Sequence, residues 1–340
     1  MMMDITQKSR TVAKQLLGNA LWPFVTRQMV RHYIGRDQGL ILMFHYIGAP
    51  IIAGVSTDLF LSLDEFRRIL DFVRSKLCPL EPDEFLSRLK SGSLPPAATL
   101  LTFDDCVAQT VRLALPELTK RGLKACFFAN PGLMDTDRTL PSLELMELCG
   151  AAPEGAYCIP GLQQTGGIVI DGVPSKGAAF RALWPSLVKC PSRLQTEMLH
   201  SIRHEFGVKA PLPECVRLAD WEELSLLHQA GMLVGNHTMY HSTVDADGID
   251  QFAADVEEGY QMIEARLPWR ARVFCYPYGR KVDATRETAQ RLHGLGTKYG
   301  FVTQGGAARV DGSGTLNLRR EEAAYSVGAT KLAPALALMR

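Results

Sequence analysis

Short apolar runs recur along this chain, and each ends in polar residues before a helical pattern takes over. GLILMFHYIG (39–48), ATLLTFDD (98–105) and KACFFAN (124–130) come first, and GMLVGNH (231–237), ARVFCYPYG (271–279), YGFVTQGG (299–306) and LNLRRE (316–321) follow. Between them lie stretches with helical spacing: AQTVRLALPELTKRG closed by Gly122, DWEELSLLHQAG opened by Asp220 as an N-cap, FAADVEEGYQMIEARL and ATRETAQRLHGLG. Strands alternating with helices form a parallel sheet covered on both faces. At least seven such strands predict an α/β barrel, and barrels carry their working residues on the C-terminal strand ends. Those ends here hold His45, Asp104, Asp105, Asn130, His237, Tyr276, Tyr278 and Gln304.

The 340 residues are 46% hydrophobic, enough for the core of one large domain. A formal net charge of +1 offers no broad field for nucleic acid, which is not an expected partner. Cysteines at 78, 106, 126, 149, 158, 190, 215 and 275 form no C-x-x-C pair, which argues against a thiolate zinc ribbon and fits a reducing compartment. Residues 1–38 lack a secretory apolar stretch and read as an amphipathic helical extension with Lys8, Lys14, Arg27 and Arg31. That extension either packs on the domain or touches a membrane surface. No apolar run reaches the roughly 18 residues of a transmembrane span, so a cytoplasmic location is expected, with peripheral membrane contact as the variant. Residues 39–325 form the barrel and 326–340 a tail. Residues 133–220 read as an insertion between strands, with a small hairpin at GGIVIDGVP and a helix at SRLQTEMLHSIRHEFGV.

The second strand ends in Thr102-Phe103-Asp104-Asp105-Cys106. Adjacent carboxylates in a buried place repel unless a cation relieves them. A helix N-cap would also explain an Asp here. The fourth strand runs into His237-Thr238-Met239-Tyr240-His241, and on a helical turn an i, i+4 His pair shares one face. Such a pair is often incidental. Beside a strand-end Asp pair, however, two His and one carboxylate make a common site for a catalytic divalent metal. One Asp would bind the ion and the other would stay free as a base.

These motifs resemble the polysaccharide deacetylases, the NodB-homology carbohydrate esterases. T-F-D-D-G in that family corresponds to Thr102–Cys106 here, H-[ST]-x-x-H to His237–His241, and the P-Y-G centre to Pro277-Tyr278-Gly279. MFHYIG, ACFFAN, WEELSLLHQAGMLVGNHT and LRR resemble flanking stretches, so the likeness spans roughly residues 39–321. The resemblance implies a distorted (β/α) barrel. It implies a metal-dependent hydrolase that removes an N-acetyl or other N-acyl group from an amino sugar of a polysaccharide, lipid-linked or other glycoconjugate intermediate. Asp104 resembles the catalytic base. Asp105, His237 and His241 resemble the ligands of one divalent ion, zinc first among zinc, cobalt, nickel, manganese and iron. Tyr278 resembles the residue whose backbone N–H stabilises the oxyanion. His45 is a further catalytic candidate at a strand end, and Tyr276, Pro277 and Asn130 are the expected substrate-binding residues.

The likeness has gaps. Cys106 stands where the family has Gly, either as a tolerated small residue or facing the site. The third motif reads Phe274-Cys275-Tyr276, without the Arg that pairs with the base, and no Leu-x-His stretch after residue 300 supplies a general acid. His293, on a helical stretch, reads as a surface residue. A catalytically impaired, carbohydrate-binding member of the fold is therefore the alternative. A metal phosphoesterase would need a second ligand set, and none is visible. The oligomeric state is not legible in the sequence.

Overall fold

A computed structural model describes residues 37–48, 60–159, 167–268, 271–310 and 314–323. The expected helical extension lies outside these residues except at its last positions, and the 326–340 tail lies wholly outside them.

The first strand, β1 (Leu40–Phe44), is followed by a two-stranded side sheet of β2 (Tyr46–Ile47) and β3 (Phe60–Leu61). Helix α1 (Leu63–Lys76) starts at a capping box in which the Ser62 side chain takes the Glu65 N–H and Glu65 returns the bond. Next come β4 (Cys78–Pro79), α2 (Pro82–Ser91), β5 (Ala98–Phe103), α3 (Ala108–Lys120) and β6 (Ala125–Ala129). After β6 the chain leaves the sheet for α4 (Pro141–Ala151), the antiparallel pair β7 (Gly155–Tyr157) and β8 (Ile168–Ile170), α5 (Val173–Lys189) and α6 (Ser192–Glu205). It returns through α7 (Trp221–Gln229), capped by Asp220 as expected, into β9 (Leu233–Asn236). Then follow α8 (Ile249–Arg266), β10 (Val273–Cys275), α9 (Arg286–Gly294), β11 (Tyr299–Phe301) and β12 (Glu321–Glu322).

The main sheet runs β11-β10-β9-β6-β5-β1-β12, with β4 on β5, and all its pairings are parallel. It curls until its two edges nearly meet. Leu318 bridges to Phe301 on β11, and Glu321 pairs with Leu42 on β1, so one short segment spans the gap. This is the barrel that the strand count predicted, distorted as the family resemblance implied.

Alternation along the strands sorts their side chains. Ile41, Leu100, Phe128, Leu233, Val273 and Phe301 fill the barrel interior, and Phe85 of α2 joins them. Phe44, Phe103 and Phe127 face outward in a stack with centroids 4.8 and 4.5 Å apart, beneath α1 and α3. The elements between β6 and β9 bury a cluster of their own, including Leu148, Leu183, Leu187, Ile202 and Phe206.

The segment between β6 and β9 differs from expectation in its hairpin and holds one helix that the sequence did not predict. GGIVIDGVP is not a self-contained hairpin: Ile168–Ile170 pairs with Gly155–Tyr157, and Val173 already opens α5. Helix α5 was not legible, because Gly177 and Pro185 interrupt its pattern. Among the described residues, no helix is long and apolar enough to cross a membrane.

Candidate active site

The inward phase of β5 runs Ala98, Leu100, Thr102 and, one step past the strand, Asp104. The Asp104 N–H continues the ladder by donating to the Phe44 carbonyl (3.0 Å). Beneath it, fully buried inside the barrel, lies Arg320. Its Nη1 and Nη2 each donate to one Asp104 oxygen at 2.7 Å, and Nη1 also reaches Thr102 Oγ1 (3.1 Å). Such a two-pronged pair is the strongest geometry open to a carboxylate. Burial alone would raise the Asp104 pKa, but Arg320 outweighs it and holds the carboxyl below its ordinary value. The third motif lacks an Arg because the barrel-closing segment supplies one. Cys275 occupies the space beside it, with Sγ 3.0 Å from Arg320 Nη2.

After Asp104 the chain turns sharply. Asp105 (φ +71°) and Cys106 (φ +48°) both adopt left-handed backbone, and the turn swings Asp105 into the same pocket as Asp104. Cys106 takes the conformation a glycine would favour despite its Cβ. Its side chain packs in the outer core, and burial pushes its thiol pKa up, away from thiolate character. The turn is clamped by the stretch returning from α6: the Ala219 N–H donates to the Cys106 carbonyl and the Ala108 N–H to Arg217, each at 2.8 Å.

His237 and His241 do converge, but not on a helix. Residues 237–243 form a loop in which Thr238 (φ +66°) and His241 (φ +61°) are left-handed. Each such residue costs on the order of 1 kcal/mol, so the loop must be held. Asn236 Oδ1 accepts from the Thr238 N–H (2.8 Å), Asp255 from the Met239 N–H (2.9 Å), and Thr238 Oγ1 from the Ser242 N–H (2.8 Å). Asn130 Nδ2 donates to the His237 carbonyl at 2.6 Å. Gly259 of α8 makes room, since a Cβ there would stand 2.7 Å from Asn236 Oδ1.

Asn130 is fully buried and does not line the pocket; its Nδ2 holds the loop through the His237 and Thr238 carbonyls. Tyr276 and Pro277 are likewise removed from the pocket. Tyr276 follows the inward Cys275, so strand alternation turns its ring outward onto Phe274 (5.0 Å), among residues of α8 and α9. Pro277 is buried in the following turn. Tyr278, at φ +57°, does line the pocket, with its ring edge-on to His241 at 4.4 Å. His45 lines it too, its Nε2 3.7 Å from Asp104 and its Nδ1 3.3 Å from Glu322. Burial pulls the His45 pKa down, but Glu322 and the two aspartates outweigh it and raise it to about 9. His293 is on the surface, as expected.

Asp105 Oδ2 accepts the Tyr46 hydroxyl at 2.7 Å, whereas Oδ1 is buried without a hydrogen-bond partner. That oxygen faces His237 Nε2 at 3.4 Å and His241 Nε2 at 3.5 Å. Donors about 2.0–2.2 Å from one tetrahedral ion stand roughly 3.3–3.6 Å apart, so this set fits a divalent metal. His237 Nδ1 lies 2.7 Å from the Cys275 carbonyl, which fixes the proton on Nδ1 and turns the Nε2 lone pair toward Asp105. In the metal-free chain, burial disfavours charge on His237, but Cys275 and the two aspartates raise its pKa well above the imidazole range. Burial drives His241 the other way, down to about 3. The carboxylates thus call for positive charge, which either a proton on His237 or a cation can supply. A second group, Asp104, His237 and Cys275, also lies close enough to share an ion. Arg320 already occupies both Asp104 oxygens, and its buried guanidinium would repel a cation there.

The family to which these motifs lead is one of deacetylases, hydrolases acting on an N-acetyl amide. The chain belongs to the polysaccharide deacetylase family, whose sequence model matches residues 91–297. Similar solved structures include the deacetylase PplD of Streptococcus pyogenes in complex with acetate, 20% identical, covering 89% of this chain and 97% of that chain with a TM-score of 0.54. IcaB from Ammonifex degensii is 19% identical, over 84% of this chain and 91% of that chain, with a TM-score of 0.52. BC0361, a polysaccharide deacetylase from Bacillus cereus, is 12% identical, over 88% of this chain and 68% of that chain, also with a TM-score of 0.52. At these identities the likeness is one of fold. No curated protein matches the chain.

The Tyr46 contact makes a prediction. Removing a hydrogen bond to a metal-ligating group typically costs about 10–100-fold in metal affinity. Tyr46→Phe is expected to weaken by that factor the binding of any divalent ion taken up by Asp105, His237 and His241, read by competition with a chromophoric chelator. Unchanged affinity would separate Tyr46 from the metal site.

Proposed function

We propose that this chain is a metal-dependent N-deacetylase acting on an amino-sugar substrate, with one divalent ion, zinc foremost, held by Asp105, His237 and His241. The observation that carries this is the unpartnered Asp105 oxygen facing two imidazole nitrogens, beside a second aspartate kept ionised by a buried arginine. When bound, such an ion supplies Lewis acidity toward the amide carbonyl and the attacking water.

The chain's own residues do the rest. Asp104, ionised at neutral pH, takes a proton from water as its oxygen attacks the acyl carbon. Arg320 holds the carboxylate in one orientation, which removes a rotational cost before reaction. The Tyr278 backbone N–H is the donor we assign to the developing oxyanion, as the family resemblance implies. As the C–N bond breaks, the leaving nitrogen needs a proton. His45 is the candidate donor, because Glu322 keeps it charged at neutral pH and it stands against Asp104. The products are the free amine and the carboxylate. Arg320 weakens the case for an impaired binding protein, since the base has a partner after all.

The test is acetate release from a panel of N-acetylated amino sugars by zinc-loaded protein, with chelator-treated protein beside it. Release that depends on the ion supports the proposal. No release from any member with the ion bound would refute it.

A further inference from the structure

The pocket over these residues is small and partly covered. It holds about 250 Å³, below the roughly 300–1,000 Å³ of pockets that take drug-sized ligands. Its floor is the strand-end chemistry, and its roof comes from the segment between β6 and β9: Ser142 and Met146 of α4, Phe180 and Trp184 of α5. The reacting groups are withdrawn from solvent, with Asp104 and His237 each 2% exposed and His241 5%. A polymer crossing the site would need a cleft open at both ends, with these groups lining it.

The roof is fixed in place. Phe180 and Trp184 stack at 5.8 Å, and Trp184 meets the floor by packing edge-on against Tyr278 at 5.5 Å. Beneath them α4, α5 and α6 share a buried apolar cluster, and the stretch leaving α6 is bonded to the Asp104–Cys106 turn. An aromatic wall opposite polar groups suits a single pyranose, which offers a C–H face to the ring and hydroxyls to the floor.

Building on the proposed deacetylation, we infer that the roof admits one amino-sugar residue, so that the substrate is a small or chain-terminal N-acyl amino sugar and not an internal residue of a polymer. Trp184 and Phe180 are the specificity-determining residues.

Zinc-loaded protein is offered N-acetylhexosamine monosaccharides and the matching β-linked hexamers, and the products are sequenced by mass spectrometry. Acetate from monosaccharides, and from hexamers only at one chain end, is the expected result. Acetate lost from internal residues overturns this inference while leaving the deacetylase intact. No acetate from any substrate overturns both. Trp184→Ala is expected to shift the hexamer-to-monosaccharide ratio of kcat/KM by about tenfold toward the hexamer. Should that variant fail to fold, the wild-type product map still decides. A second readout needs no turnover: in Asp104→Asn protein, a monosaccharide should change tryptophan emission, and the added change Trp184→Phe should abolish it. An emission change that survives Trp184→Phe would remove Trp184 from the sugar's wall.

Discussion

Asp104→Asn is expected to lower deacetylation by about 10²–10⁴-fold, the range a positioned general base contributes. The substitution keeps the shape of the side chain and leaves a carbonyl oxygen to accept from Arg320. It removes the capacity to take a proton from water and also leaves the buried Arg320 charge without its partner, so the stability of the variant is measured beside its activity. Asp104 is not among the ligands proposed for the ion, because both its oxygens are engaged by Arg320. Bound metal, measured on the same samples, should therefore stay at the wild-type level. This separates the two adjacent carboxylates: Asp105→Asn should lose the ion, whereas Asp104→Asn should keep it and lose the reaction. Wild-type turnover in the Asp104 variant, or loss of its metal, would contradict the division of labour.

Arg320→Gln should produce the largest loss of stability, on the order of 3–5 kcal/mol by denaturant unfolding, because breaking a buried pair strands the remaining charge. Arg320 is fully buried and Asp104 nearly so, hence little water is available to screen that charge. The combined variant Asp104→Asn/Arg320→Gln should recover part of the loss, since neither charge remains. The pH dependence follows from the same pair. Arg320 depresses the Asp104 pKa, so the pair's stabilisation is present above the unfolded carboxyl pKa of about 3.9 and is lost as pH falls through the folded value. Without Arg320, burial alone acts and the pKa rises. The acidic limb of the activity profile, which follows the ionised base, should then move to higher pH. An unshifted limb and an unchanged unfolding midpoint would show that Arg320 matters to neither.

The candidate site was legible wherever chemistry is local in sequence. Asp104 and Asp105 are adjacent, His237 and His241 are four apart, and each set follows an apolar run, so strand-end logic alone brings them together. Arg320 was not legible as the partner of Asp104 because the two lie 216 residues apart in sequence. The available signal was an arginine in the last strand-like stretch, at the seam where the sheet closes. Tyr276 was misplaced for want of one further step: in a strand whose Cys275 points inward, its neighbour points out. The His loop was expected as a helical turn because i, i+4 spacing suits one. Left-handed residues held by Asn130, Asn236 and Asp255 reach the same convergence, and nothing in the spacing distinguishes the two. Helix α5 was hidden by Gly177 and Pro185, and with it Phe180 and Trp184, the residues that roof the pocket.

The unpartnered Asp105 oxygen and the two imidazoles are proposed to hold one divalent ion. Elemental mass spectrometry on purified protein, beside the His237→Ala/His241→Ala variant, tests this most directly. About one zinc or similar ion per chain in the wild type, absent from the variant, is the predicted result. No ion in either protein, even after incubation with zinc or cobalt, would contradict the claim and remove the basis for the hydrolytic mechanism.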